Sequence, residues 1–103
     1  MFLGKVIGQV VATQKDEKLT GSKLLILRPL QVADESEPKL VDSKNTIVAV
    51  DSCGAGVGQM VLFCQGSSAR QATGMKELPI DAAIVGLIDH VEAFSKQLYK
   101  AGK

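Results

Sequence analysis

Charge of one sign, aromatic rings, histidine and long apolar runs are all scarce in this sequence, and each scarcity removes a class of function. Twelve Lys and Arg stand against 11 Asp and Glu, a net charge of +1, which provides no electrostatic footprint for nucleic acid or an anionic membrane. Tryptophan is absent and the aromatics are Phe2, Phe63, Phe94 and Tyr99, too few for the stacking platform and basic groove of a single-strand binder. One histidine, His90, and two cysteines, Cys53 and Cys64, make a poor set for structural zinc, which takes four closely organised ligands. No spacing unites Ser67 or Ser68 with a base and an orienting carboxylate, so catalysis finds no support. No apolar run approaches the roughly 20 residues that span a bilayer. The start of the chain lacks the basic, apolar and small-residue zones of a secretion signal. A soluble cytosolic chain is expected, with no enzyme activity, cofactor, metal, nucleic acid or membrane.

What the sequence has in excess is aliphatic side chain. It is 103 residues long, 46% hydrophobic and 22% charged. That length fits one domain with a modest core, and the composition is richer in apolar residues than such a core requires. The surplus predicts subunit interfaces.

The periodicity is that of strands. From Phe2 to Ala12 the even positions read Phe2, Gly4, Val6, Gly8, Val10 and Ala12, while Lys5 and Gln9 fall between them. Glycines inside such a run suit a strand that bends around a small barrel. After the charged loop Gln14 to Ser22, Lys23 to Val32 reads as the second strand, with Pro29 predicting an edge or a bulge. Ala33 to Asn45 reads as an exposed connection. Thr46 to Ser52, Gln59 to Gln65 and Ala82 to Val91 complete five strands of ordinary length. Ser67 is placed to cap a short helical turn through Ala72. Phe94 and Leu98 are at helical spacing and predict a short amphipathic helix at the end. The expected organisation is therefore all-β: a five-stranded OB-like barrel over residues 1–91, with one helical turn and a C-terminal helix or tail over 92–103.

Two of these strands are apolar on both faces: Met60 to Cys64, and Ala82 to Ile88. An antiparallel barrel strand ordinarily shows water one face, so the outer face is expected to pack on a neighbouring subunit. Gly54, Gly56 and Gly58 lack the spacing and following helix of a dinucleotide loop and read as a tight turn between strands. Across that turn Cys64 would oppose a residue near Val48 rather than Cys53, which predicts two buried, reduced thiols. Gly66 to Arg70 could hold an anion at free amides, cap a helix, or place Arg70 against a carboxylate such as Asp81 or Asp89 across a subunit boundary. Asp51, Asp81 and Asp89 sit at strand ends, where a carboxylate can accept turn amides.

The stretch DSCGAGVGQMVLFCQGSSAR followed by PIDAAIVGLID, with the opening MFLGKVIGQVVATQKDEKLTGSKLLILRPL, resembles the EutN/CcmL family of bacterial microcompartment vertex proteins over nearly the whole chain. The resemblance implies a homopentamer of OB-like barrels at the vertices of a polyhedral shell, beside hexameric tiles of a different fold, in the bacterial cytoplasm. A sheet of hexagonal tiles is flat, and closing it requires pentagonal units of matching edge. By the same resemblance Gly54, Ala55, Gly56 and Gly58, the run Gly66, Ser67, Ser68, Ala69 and Arg70, and Asp81, Gly86 and Asp89 are expected to be assembly and interface determinants. Gln59 departs from the family's frequent glutamate and Cys53 from its usual aliphatic residue, so a salt bridge at position 59 is not expected. The competing reading is an OB-type module for nucleic acid or a small ligand.

Overall fold

The computed structural model describes residues 1–12, 23–66, 69 and 80–102. Among them run eight strands: β1 (Phe2–Val10), β2 (Lys23–Val32), β3 (Leu40–Asp42), β4 (Ile47–Asp51), β5 (Met60–Gln65), β6 (Ala82–Leu87), β7 (His90–Ala93) and β8 (Lys96–Lys100). The main sheet runs β1-β5-β6-β4-β2-β3, and β1 also pairs with β2. That last pairing closes β1, β5, β6, β4 and β2 into the expected five-stranded barrel, with no β-edge left along the closed seam. All its pairings are antiparallel except β4 with β6.

The alternation of β1 has the predicted sense. Gly4 and Val6 are buried while Lys5, Ile7 and Gln9 face out. Curvature comes from a bulge: Val6 opposes Leu27 and Gly8 opposes Ile26, leaving Ile7 without a partner. Gly4 has a second reason to be glycine. A Cβ there would lie 2.9 Å from the Phe63 ring, so the backbone of β1 approaches the largest buried side chain as closely as packing allows. Phe63, Leu25, Leu27, Ile84, Val6 and Val61 fill the barrel. Each such side chain contributes roughly 1.5–3 kcal/mol relative to exposure.

Pro29 falls where its missing donor does no harm. On that edge of β2 the ladder to β4 ends at Leu27 and the ladder to β3 begins at Leu30. The Pro29 carbonyl accepts from Ser43 N–H at 2.9 Å, and the absent N–H lies on the same edge, in the gap between two partners. The stretch 33–45 is not wholly irregular, since Leu40–Asp42 adds β3 beyond the closed barrel.

Three expectations are corrected. The 54–58 turn does not join paired strands: β4 and β5 are separated by β6, and Cys64 pairs with Ala83. Both cysteines are free but half-buried rather than buried. The C-terminal helix is a β-hairpin, in which His90 opposes Lys100 and Val91 opposes Tyr99, turning through Phe94 (φ 53°) and Ser95 (φ 61°). The spacing of Phe94 and Leu98 suits a helix, but Val91 and Ala93 alternate with His90 and Glu92 in burial, a period-two pattern that wins once β8 is available to pair. The predicted fifth strand accordingly divides at Ile88 and Asp89 into β6 and β7. Its base is tied by Ala101 N–H to Asp89 C=O at 2.7 Å, and Ile88 N–H donates to Met60 C=O at 3.0 Å. Near its tip, Lys96 adds weakly to the Lys39 ammonium, which pairs with Glu37 at 2.8 Å and holds that carboxyl below the usual range.

Candidate assembly surface

The predicted determinants gather at the two ends of the β5–β6 pair. At the end where β5 begins, the 52–59 segment is a built turn. Gly54 (φ 80°) and Gly58 (φ 95°) adopt the left-handed backbone that glycine tolerates. The Asp51 carboxylate accepts from Cys53 N–H at 2.9 Å and Ala55 N–H at 2.8 Å. Lys23, the cross-strand partner of Asp51, donates through Nζ to the Ala55 carbonyl at 2.6 Å and lies 3.8 Å from the carboxylate. The Asp51 side chain is 1% exposed against 48% for Lys23, so the amides rather than the screened ion pair satisfy it. Ala55, held this way, is fully buried and joins the barrel core.

Gln59 completes the turn. Its Oε1 accepts from Gly56 N–H at 2.7 Å, while its backbone binds Gly56 C=O and Val6 N–H. A neutral amide oxygen does the accepting, and no charge is needed in that role. Gly58 and Asp89 line one cleft of about 480 Å³ with Gln59, Leu87 and Tyr99. Gly86 stands opposite Leu62 across the β5–β6 ladder.

At the other end of the pair, Gly66 (φ 71°) donates to the backbone carbonyl of Asp81 at 2.7 Å. Gly66 and Ala69 have the backbone of a short helical turn. Ser67, Ser68 and Arg70, and with them the capping and cross-subunit roles proposed for that turn, lie outside the described residues. Ala69 is fully buried over the outer side of the barrel, in a cluster with Val50, Ile80 and Ala83, against which Leu24 and Cys64 pack. The expectation that the outer face of β5 and β6 packs on a neighbour is therefore corrected in part, because the chain covers one half of that face itself.

Among the described residues the other half is left open. Leu3 and Leu62 oppose each other across β1 and β5, are half-buried, and with Leu87, Ile88, Asp89, His90 and Val91 line a groove of about 440 Å³. Glycine at position 86 leaves a notch beside Leu62, whose Cδ1 would lie 3.7 Å from a Cβ there. Leu87 is 43% exposed and Phe94 51%. Among the described residues no three His, Cys, Asp or Glu side chains stand together as metal ligands. The groove's apolar lining is joined by Asp89 and His90.

Sequence reasoning missed Lys23 and part of the groove. Lys23 could have been found as the one cation opening β2, but only pairing places it beside Asp51. The two-faced apolar strands signalled the share of the groove that Leu62, Leu87 and Ile88 supply, but only the fold brings Leu3 and Val91 beside them.

Comparison with known proteins bears on these surfaces. Residues 1–89 match the family profile described as ethanolamine utilisation protein EutN/carboxysome. The chain is 50% identical over 92 residues to the bacterial microcompartment shell vertex protein GrpN of Rhodospirillum rubrum, covering 89% of this chain and 97% of that one. The solved structure of Gloeobacter violaceus CcmL superposes with a TM-score of 0.83 at 36% identity over the full length of both chains. A structure described as the GrpN pentameric microcompartment shell protein gives a TM-score of 0.76 at 47% identity, covering 90% of this chain and 99% of that one.

Proposed function

This chain belongs to the EutN/CcmL family, and we propose that it works as the structural vertex piece of a bacterial microcompartment shell, five copies forming the pentagonal unit that lets a flat tiling close. One observation carries the reading: a family barrel with a closed core leaves, among the described residues, the Leu3, Leu62 and Leu87 groove uncovered. Exposed apolar area of this kind is resolved by association with closed symmetry. The contribution is mechanical rather than catalytic. A rigid subunit sets the fivefold angle, and the rim of the ring docks against hexameric shell tiles in the bacterial cytoplasm.

In this role the Gly54 to Gly58 turn, with Ala55 pinned by Asp51, is a stiff corner rather than a ligand loop. Gly66, Ala69 and Asp81 hold the opposite corner. Gly86 and Asp89 flank the open groove. Interfaces of this class draw on shape complementarity more than on charge, in keeping with a chain of net charge +1.

Native mass spectrometry of the purified protein over a wide dilution range tests the reading. A pentamer is expected at micromolar concentration. A chain that stays monomeric at every concentration would overturn it and bring forward the small-ligand or nucleic-acid binding module.

A further inference from the structure

A fivefold ring cannot be built from one self-complementary patch. Each subunit must present two different surfaces, one that gives and one that receives, so that contacts run head to tail until they close. Among the described residues the structure holds an open apolar groove and a hairpin whose strands pair only with each other. The receiver is the groove whose apolar lining is Leu3, Leu62, Leu87, Ile88 and Val91, with Asp89 and His90 at its hairpin side. The projection is the β7–β8 hairpin, which forms a separate two-stranded sheet. Two strands alone are marginally stable in water, and the family match ends at residue 89, one residue before β7 begins.

The tip of the hairpin is chemically anomalous. Both central residues have positive φ, 53° at Phe94 and 61° at Ser95, a turn that favours Asn-Gly. A bulky aromatic in left-handed backbone is an outlier, and Phe94 recovers little within its own chain, being 51% exposed. Strain of this kind persists where a residue serves something beyond its local fold. Phe94 does not line the groove of its own chain, although Val91, three residues before it, does.

We propose that the β7–β8 hairpin of each subunit seats on the next copy in the ring, with Phe94 entering the neighbour's groove between Leu3, Leu62 and Leu87. The hairpin is then a clasp that adds to the barrel contacts, and its own sheet is stabilised by the surface it covers. The inference rests on the pentameric reading above.

The test exchanges the tip for the turn's preferred residues, Phe94→Asn with Ser95→Gly, which relaxes the hairpin while removing the ring. Native mass spectrometry across a dilution series is expected to show the wild type as a pentamer and the double variant dissociating at roughly tenfold higher concentration or more, the loss of one apolar anchor per interface. An unchanged or strengthened ring in the variant overturns the clasp, as it would if the hairpin were reserved for a different protein. A second measurement places p-benzoylphenylalanine at position 94 in a mixture of isotopically light and heavy chains. Crosslinks between copies are expected on peptides containing Leu3, Leu62 or Leu87, and crosslinks confined to one chain, or falling elsewhere on the neighbour, overturn the proposal. A wild type that is monomeric throughout would instead remove the pentameric reading, a result separable from either of these.

Discussion

The two halves of the barrel's outer surface have similar sequences and opposite fates. Over Val50, Ala83, Leu24 and Cys64 the chain lays down its own cover, with Ala69 and Ile80 completing a second small core. Around Leu3, Leu62 and Leu87 no such cover is found among the described residues, and a groove stays open. Both halves draw on the same apolar strands. An apolar outer face therefore does not by itself announce a partner; it announces a cover, and only the position of the intervening segment decides whether that cover is internal.

The comparison can be broken by placing the same charge in each half. Ala83→Asp puts an unpaired carboxylate in a fully buried site, and a loss of roughly 3–5 kcal/mol of barrel stability is expected. Urea unfolding followed by circular dichroism reads it; an unaltered midpoint would show that the second core is loose enough to admit water. Asp51→Ala removes the acceptor of two turn amides and is expected to cost about 2–3 kcal/mol in the same assay. Asp51→Asn should recover part of that by keeping one acceptor oxygen. Leu87→Asp, at a position 43% exposed, should move barrel stability by no more than about 0.5 kcal/mol. Its effect belongs to assembly, and light scattering is expected to show smaller species. A stable ring in that variant would mean the open half faces solvent in the shell.

Much of the barrel was legible. The alternation of Phe2 to Val10 placed Gly4 and Val6 inside, and the run Lys23 to Val32 has the bounds that its residues predict. Pro29 announced a break in the ladder and sits at one. The capping role of Asp51 was also readable, because a carboxylate ending a strand before a glycine-rich turn has few other uses. Pairing was not readable. Asp51 to Met60 looks like a hairpin connection, yet β6, some twenty residues later, inserts between β4 and β5. Phe94 and Leu98 matched a helix because a four-residue spacing cannot reveal that a second strand follows with an unusual turn. Lys23 is a surface lysine in the sequence and a turn clamp in the fold, since its partner is 28 positions away.

By itself the sequence determined which segments form the barrel strands, which side of β1 faces inward, and that two strands would carry apolar side chains on both faces. Those properties reside in the chemistry of adjacent residues, where a two-residue period or a glycine is felt within a few ångströms. Only the tertiary structure decided which strands are neighbours, which half of the outer face the chain covers for itself, and that its end is a hairpin with an aromatic tip. These depend on closing a barrel from strands far apart in the chain, where the winning arrangement is the one with the best total burial and pairing, a sum that no local stretch contains.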